Sequence, residues 1–205
     1  MRPSPHDPPP MMVPFAAARP LPRDKYMTHE EVARFLRFVK ESRRRGARKY
    51  YVLFRLLAET GIRIQAAMGL RLGDVQNGAG LPTITVKWLK KRGGEALQVL
   101  VITDKMAHLI RRYAKGRTPS SRVFDVSDRA ARYAFNRFCD DAGLRRYSPK
   151  ALRHYHLMEY YRASGHDLRL VQDRAGHASP VTTTIYVATL QEDHERALEE
   201  MPDLP

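Results

Sequence analysis

Residues 148–186 read SPKALRHYHLMEYYRASGHDLRLVQDRAGHASPVTTTIY, and this stretch decides most of the fold. It contains two serine-proline pairs, Ser148-Pro149 and Ser179-Pro180. Such pairs are typical of helix starts, because serine caps a helix and proline fits its first position, so Ser148 and Ser179 are predicted caps. Gly176 is the kind of residue on which a helix ends, and it leaves His177 in the turn that follows. The pattern predicts three helices, over about 149–164, 167–175 and 180–187.

Upstream, the chain continues in helical patterns around one short β segment. Thr28 and Glu31 have the spacing of a capping box, and apolar residues follow at helical intervals. A second helix over about 48–60 is expected to stop at Gly61, a residue suited to the left-handed position after a helix. Two β-like runs flank a basic turn at 90–94, which predicts an antiparallel hairpin. Further helices are predicted over about 62–70, 104–115, 128–142 (capped by Ser127) and 190–200.

The predicted fold class is therefore mainly α with a small antiparallel β-sheet. Eight of the 14 prolines lie in residues 1–25, and this segment is expected to be an extended or disordered tail. The remainder, 26–205, is long enough for one globular domain with its own core.

The net charge of the chain indicates which class of molecule it binds. The chain has 36 Lys and Arg against 22 Asp and Glu, a formal net charge of +14. A folded domain this basic is expected to bind a polyanion, and nucleic acid is favoured over an acidic membrane surface, since no basic amphipathic or lipid signal is evident. No apolar run approaches the roughly 20 residues that span a bilayer. The single cysteine, Cys139, excludes an internal disulfide and favours a cytoplasmic setting.

Four residues in the opening stretch are candidates for chemistry. Lys150 and Arg153 are three apart at a helix start, so they share a face at an end where free N–H groups also favour a phosphate. A solvated basic face is the alternative for this pair. Alone, His177 would more often be a surface or capping residue and Tyr186 a half-buried core residue. Their ordered combination is what points to a site.

That combination resembles the tyrosine recombinase (phage integrase) family. The matching elements are Lys150-x-x-Arg153-His154, then Gly176-His177, then Tyr186 nine residues later. The family's upstream arginine after a helix-ending glycine is matched by Thr60-Gly61-Ile62-Arg63. Its hairpin lysine is matched by Lys90 or Lys91, with Lys87 on the preceding strand. The resemblance covers about residues 26–205 and keeps every element in order.

The resemblance implies the tyrosine recombinase catalytic-domain fold and a metal-free, ATP-independent transesterification of double-stranded DNA, with no cofactor. Tyr186 would attack phosphorus and form a 3′-phosphotyrosine link. Arg63 and Arg153 would clamp the non-bridging oxygens, as guanidinium groups do with two parallel hydrogen bonds. His177 would bind the same phosphate.

The resemblance also assigns roles to other basic residues. Lys150, where many relatives have histidine, would assist proton transfer at the tyrosine or bind phosphate. Lys90 or Lys91 would protonate the leaving 5′-oxygen. Lys91, Arg92 and His154 are further expected to contact DNA, and four protomers are expected to assemble on it.

Two departures from the family pattern keep other functions open. Ala66 stands where the family usually has a glutamate, and the proline-rich segment stands where a helical DNA-binding domain usually precedes the catalytic one. A DNA-binding accessory protein with decayed catalysis is therefore one alternative. A topoisomerase IB-like enzyme that nicks and reseals DNA is another, although the spacing from His177 to Tyr186 looks more like recombinases.

Overall fold

In the computed structural model the described residues are 19–77, 80–89, 95–177 and 182–190. They form eight helices and a three-stranded sheet, as the sequence predicted in outline. The helices are α1 (His29–Glu41), α2 (Ala47–Thr60), α3 (Ile64–Gly69), α4 (Asp104–Tyr113), α5 (Asp128–Asp141), α6 (Lys150–Ala163), α7 (Leu168–Ala175) and α8 (182–190). Within these ranges, no helix is both long and apolar enough to cross a bilayer.

Most predicted helix boundaries are confirmed. The Thr28 side chain accepts from the backbone of Glu31 at 3.2 Å, and the Glu31 carboxylate accepts from the Thr28 backbone at 2.8 Å. Ser127 caps α5, since its side chain accepts from the Ala130 N–H at 3.2 Å. The prediction for Ser148 is wrong, because α6 begins at Lys150 with Pro149 in the capping position and no side-chain cap. The Ser148 carbonyl instead accepts from the Ala151 N–H at 2.8 Å.

The predicted hairpin is confirmed, and it has a partner that the sequence did not reveal. Strands β2 (Thr83–Leu89) and β3 (Glu95–Val101) pair antiparallel, and β1 (Val75–Gln76) adds to the free edge of β2. Two residues are too few to show the alternation by which a strand is recognised. The basic tip at 90–94, the predicted cap Ser179 and the predicted helix over 190–200 all lie outside the described residues.

An aromatic cluster fixes α2 among its neighbours. Phe54 of α2 lies 5.5 Å from Phe35 of α1 and 5.1 Å from Phe135 of α5, measured between ring centroids, and all three are fully buried. Such pairs add about 0.5–1.5 kcal/mol each beyond the burial of their surface. The carboxyl end of α2, where Gly61 and Arg63 follow, is thereby held rigidly by the core.

A second apolar cluster packs α6, α7 and α8 together. Leu157, Val171 and Tyr186, one from each helix, are buried in it. The segment before α1 closes this cluster, since Tyr26 is buried there and the Leu21 N–H donates to Thr189 Oγ at 2.8 Å. Residues 19–25, which the sequence assigned to the tail, thus include a short 3-10 helix and a contact with α8.

Gly61 occupies a position that only glycine fits. Its φ is +66°, and its N–H donates to the Leu57 carbonyl, which ends α2 as predicted. A Cβ at this position would lie 2.6 Å from Cδ2 of the buried His156. The turn that leads to Arg63 is therefore set by both backbone conformation and close packing.

We expect Gly61→Ala to lower the free energy of unfolding by about 3–4 kcal/mol, because left-handed strain and overpacking add. Gly143→Ala is the matched control, since its φ is +65° and its Cβ would meet nothing within 4 Å. Strain alone should cost that variant about 1–2 kcal/mol. Urea denaturation measures both, and equal losses would contradict the packing argument.

Candidate active site

Arg153 is a buried guanidinium that joins two helix ends. It lies in the first turn of α6 with 4% of its surface exposed. Its Nη1 donates to the Gly61 carbonyl at 2.6 Å and its Nη2 to the Ala175 carbonyl at 2.8 Å. Carbonyl groups at helix carboxyl ends carry partial negative charge, which suits a cation. Burial, with the nearby charge of Arg63, lowers the pKa of Arg153 to about 10, so it stays charged at neutral pH.

The contacts of His177 determine its tautomer. Arg153 Nη2 lies 3.1 Å from His177 Nε2, and a guanidinium can only donate, so Nε2 accepts. The ring proton is then on Nδ1, which donates to Thr183 Oγ at 3.1 Å. Burial, followed by the charges of Arg153 and Arg63, lowers the pKa of His177 to about 4. His177 is thus neutral at pH 7 and links the guanidinium to the start of α8.

Tyr186 is held inside the protein, with 1% of its surface exposed. Its hydroxyl lies 3.1 Å from His154 Nδ1. Burial raises the pKa of Tyr186 to about 12, and the charges of Arg153 and Arg63 act in the opposite direction. Burial likewise lowers the pKa of His154 to about 3, so the pair is neutral at pH 7.

His154, which the sequence predicts as a DNA contact, lies inside the protein beside Tyr186. Only 5% of its surface is exposed, and its ring faces Tyr186 at 5.8 Å between centroids. A contact between His154 and DNA stays a prediction. Its placement suits a group that orients the Tyr186 hydroxyl.

Arg63 and Lys150 complete the cluster from the exposed side. The charge of Arg63 lowers the pKa values of Arg153, His177 and Tyr186. The charge of Lys150 lowers those of the histidines at 154 and 177. The structure thus brings together five of the six predicted catalytic residues. Lys90, the sixth, and the predicted DNA contacts Lys91 and Arg92 lie outside the described residues.

Beneath this cluster is a supporting pair that sequence reasoning missed. Arg174 donates from Nη1 to the Val101 carbonyl at 2.8 Å, from Nη2 to the Glu59 carbonyl at 3.2 Å, and from Nε to His156 Nε2 at 3.1 Å. His156, one helical turn after Arg153 and buried, makes a 3.2 Å contact to the Ala58 carbonyl through Nδ1. The two signals available were a histidine on the Arg153 face of α6 and an arginine directly before Ala175-Gly176.

The same layer fixes the base of the hairpin. Gln98 on β3 donates from its side-chain amide to the Asp173 carbonyl at 2.6 Å, next to the contact between Arg174 and Val101. Strand β3 is therefore bonded to α7, the helix that ends at Ala175, two residues before His177. Ala66, where the family usually has glutamate, is half-buried and packs on the main core.

Comparison with known proteins shows which family the chain belongs to. The model of the phage integrase family matches residues 25–193. Tyrosine recombinase XerD of Neisseria meningitidis serogroup A is 29% identical over 176 residues, covering 78% of this chain and 57% of the relative. Tyrosine recombinase XerC of Mycobacterium tuberculosis is 33% identical over 168 residues, covering 71% of this chain and 53% of the relative. The chain spans about half the length of the curated relatives it matches.

Solved structures show the same fold. The XerH site-specific recombinase bound to its difH substrate, in a pre-cleavage complex, superposes with a TM-score of 0.67 at 25% identity, covering 86% of this chain and 53% of that one. The catalytic domain of bacteriophage HP1 integrase superposes with a TM-score of 0.61 at 16% identity, covering 87% of this chain and 95% of that domain. The predicted fold class is confirmed.

We expect Arg174→Met to lower the free energy of unfolding by about 2–4 kcal/mol, because it leaves carbonyl oxygens and an imidazole without their donor. Arg169→Met is the matched control, since Arg169 lies on the same helix and is exposed. That variant should stay within about 0.5 kcal/mol of the wild type in urea denaturation. A similar small effect for Arg174→Met would show that its contacts contribute little.

Stability is expected to fall as pH drops from about 6.5 toward 4. The buried imidazoles of His154 and His156 both have folded-state pKa values near 3, below the ordinary 6.5. The unfolded chain therefore binds more protons in this window, and each histidine can contribute up to about 1.4 kcal/mol per pH unit. Urea denaturation at several pH values measures the slope.

His156→Gln should make this slope shallower. His108→Gln, which removes an exposed imidazole, should keep the wild-type slope. Equal slopes for wild type and His156→Gln would contradict the burial argument.

Proposed function

The chain belongs to the phage integrase family, and from that premise we propose that it is a site-specific recombinase that cuts and rejoins double-stranded DNA through a 3′-phosphotyrosine at Tyr186. The observation that carries the proposal is the convergence of Arg63, Arg153, His177 and Tyr186, from four separate elements, in one electrostatically coupled cluster. Residues 26–205 would be its catalytic domain.

The cluster suits a phosphodiester because it concentrates positive charge around donors. Burial is the main cause of the lowered pKa of Arg153, and repulsion by the positive charge of Arg63 lowers it further. A phosphate between them would offset that repulsion and accept hydrogen bonds from both guanidinium groups. The Arg153 N–H that now faces His177 Nε2 points to one such position. A bound phosphate would also raise the pKa of His177, favouring the protonated ring as a further donor.

In the proposed reaction one bond to phosphorus forms, one bond to phosphorus breaks, and two protons are transferred. The Tyr186 oxygen bonds to phosphorus as the bond to the 5′-oxygen breaks, and the phosphodiester energy is kept in the protein link. Lys150 would assist transfer of the phenolic proton or help bind the phosphate, and Lys90 or Lys91 would protonate the 5′-oxygen. A Tyr186 pKa of about 12 keeps the phenol protonated at neutral pH in the DNA-free protein, so its proton has to leave as the bond to phosphorus forms.

His154 has a positioning role in this proposal. Its neutral ring, 3.1 Å from the phenol, would fix the direction of the hydroxyl without competing for a proton at neutral pH. Exchange of strands between two DNA sites would need several protomers, and a tetramer acting on cytoplasmic DNA is proposed on the family pattern. Of the two competing functions, Ala66 favours a DNA-binding accessory protein with decayed catalysis over a topoisomerase IB-like enzyme.

Wild-type protein is expected to relax supercoiled plasmid in EDTA without ATP and to leave protein covalently attached to DNA in a denaturing gel. Tyr186→Phe should abolish both products, because it removes the attacking oxygen. Tyr133→Phe is the matched control, since Tyr133 is 63% exposed on α5 and should react like wild type. DNA binding without either product, on plasmid and on the native site, would favour the accessory protein. Equal activity in Tyr186→Phe would remove Tyr186 from the mechanism.

A further inference from the structure

We propose that the chain has a second contact surface for the phosphate backbone of duplex DNA, at the end of α2 opposite the candidate active site. This surface, here called the basic pole, consists of two segments, 42–49 and 111–117. The first holds five Lys or Arg residues and the second holds four, and neither contains an acidic residue. Nothing in the proposed cleavage chemistry uses these nine cations.

The fold brings the two segments together. The Arg48 guanidinium, in the first turn of α2, donates to the Arg112 carbonyl near the end of α4 at 3.2 Å. At the other end of the same two helices, Thr103 Oγ lies 3.2 Å from Glu59 Oε2. The helices therefore run antiparallel, with the basic pole at one end and the turn to Arg63 at the other.

The basic pole and the candidate active site are too far apart to contact the same phosphate. Helix α2 has 14 residues, and at 1.5 Å per residue it is about 20 Å long. This corresponds to about six base pairs of duplex at 3.4 Å each. A phosphate at the basic pole is thus not the one being cut.

Helix stability does not explain these charges. The amino end of a helix carries partial positive charge, so cations there are unfavourable. Yet the first turn of α2 contains Arg48 and Lys49 and no acidic residue, and Arg43–Arg45 directly precede it. Only the cations near the carboxyl end of α4 gain from the helix dipole. A polyanionic partner accounts for the whole set.

Part of the pole is open to such a partner. Asp141 pairs with Arg44 at 2.7 Å, and the side chains of four other cations of the pole donate hydrogen bonds within the protein. The remaining four are exposed, and in the described parts of the chain no salt bridge or side-chain hydrogen bond is found for them. These are Arg43, Arg45, Arg112 and Lys115. Side chains of this kind neutralise backbone phosphates without reading bases, so the pole is expected to add affinity and not sequence preference.

The proposal rests on the proposed function, because it assumes a duplex at the active site. The backbone at the pole could belong to the flank of that duplex or to a second duplex in the same assembly. Both sources present the same phosphodiester chemistry. They differ in reach, since a flank shorter than about six base pairs cannot extend from the cut to the pole.

The test removes the four exposed charges as R43Q/R45Q/R112Q/K115Q and measures duplex affinity against salt concentration. Each phosphate contact contributes about 0.9 to the slope of log affinity against log salt, so the slope should become shallower by about 2–4. The matched control changes the same charge at exposed positions on other helices, as R129Q/R137Q/R162Q/R169Q, and should change the slope by less than about 1.

Duplex length then identifies the source. Loss of affinity on duplexes with flanks of about 15 base pairs, but not about four, assigns the pole to the same duplex. If the variant binds a single duplex with unchanged affinity but no longer pairs two labelled duplexes, the pole contacts a second duplex. Either result supports the proposal.

Other outcomes overturn it and leave the cleavage mechanism separately testable. If the pole variant keeps the wild-type salt slope, DNA affinity and duplex pairing and still forms the covalent adduct, the pole does not contact DNA. The proposed cleavage mechanism would then be unaffected. Loss of binding to phosphatidylserine vesicles, with DNA binding unchanged, would assign the pole to a membrane. Absence of salt-dependent DNA binding by wild type would remove both the pole and the proposed function.

Discussion

The structure depends on one buried charge, the guanidinium of Arg153. Its donors bind the carbonyls of Gly61 and Ala175, and they meet the imidazole of His177. These contacts join the end of α2, the end of α7 and the turn toward α8, three places far apart in sequence. A buried cation must be surrounded by hydrogen-bond acceptors, so the elements that supply them are held in register. The same constraint leaves a positive centre that is incomplete without an anion.

The sequence could predict that the candidate site residues lie together, because their order and spacing are distinctive. Arg63, Arg153, His177 and Tyr186 were each ambiguous alone and informative as a set. The support beneath them could not be predicted in this way, since Arg174 and His156 interact through carbonyls of residues 58, 59 and 101. A backbone acceptor has no sequence signature, so only the fold reveals it. The burial of His154 beside Tyr186 could not be predicted either, because the motif gives its position in the chain and not its surroundings.

Burial also affects the protonation of Tyr186 and His154. Removal from water raises the pKa of Tyr186 to about 12 and lowers that of His154 to about 3, so both groups are neutral at pH 7. The positive groups beside Tyr186 only partly offset the effect of burial on the phenol. In the DNA-free protein the phenol is therefore held in place and protonated. A phosphate that entered between Arg63 and Arg153 would supply the missing negative charge.

Identification of the residue that becomes linked to DNA tests this account most directly. The covalent product formed by wild-type protein would be digested with protease and nuclease, and the modified peptide sequenced by mass spectrometry. The account predicts a nucleotide remnant on Tyr186, in the helix over 182–190, attached through the 3′-phosphate. A remnant on another residue, or attachment through a 5′-phosphate, would contradict it.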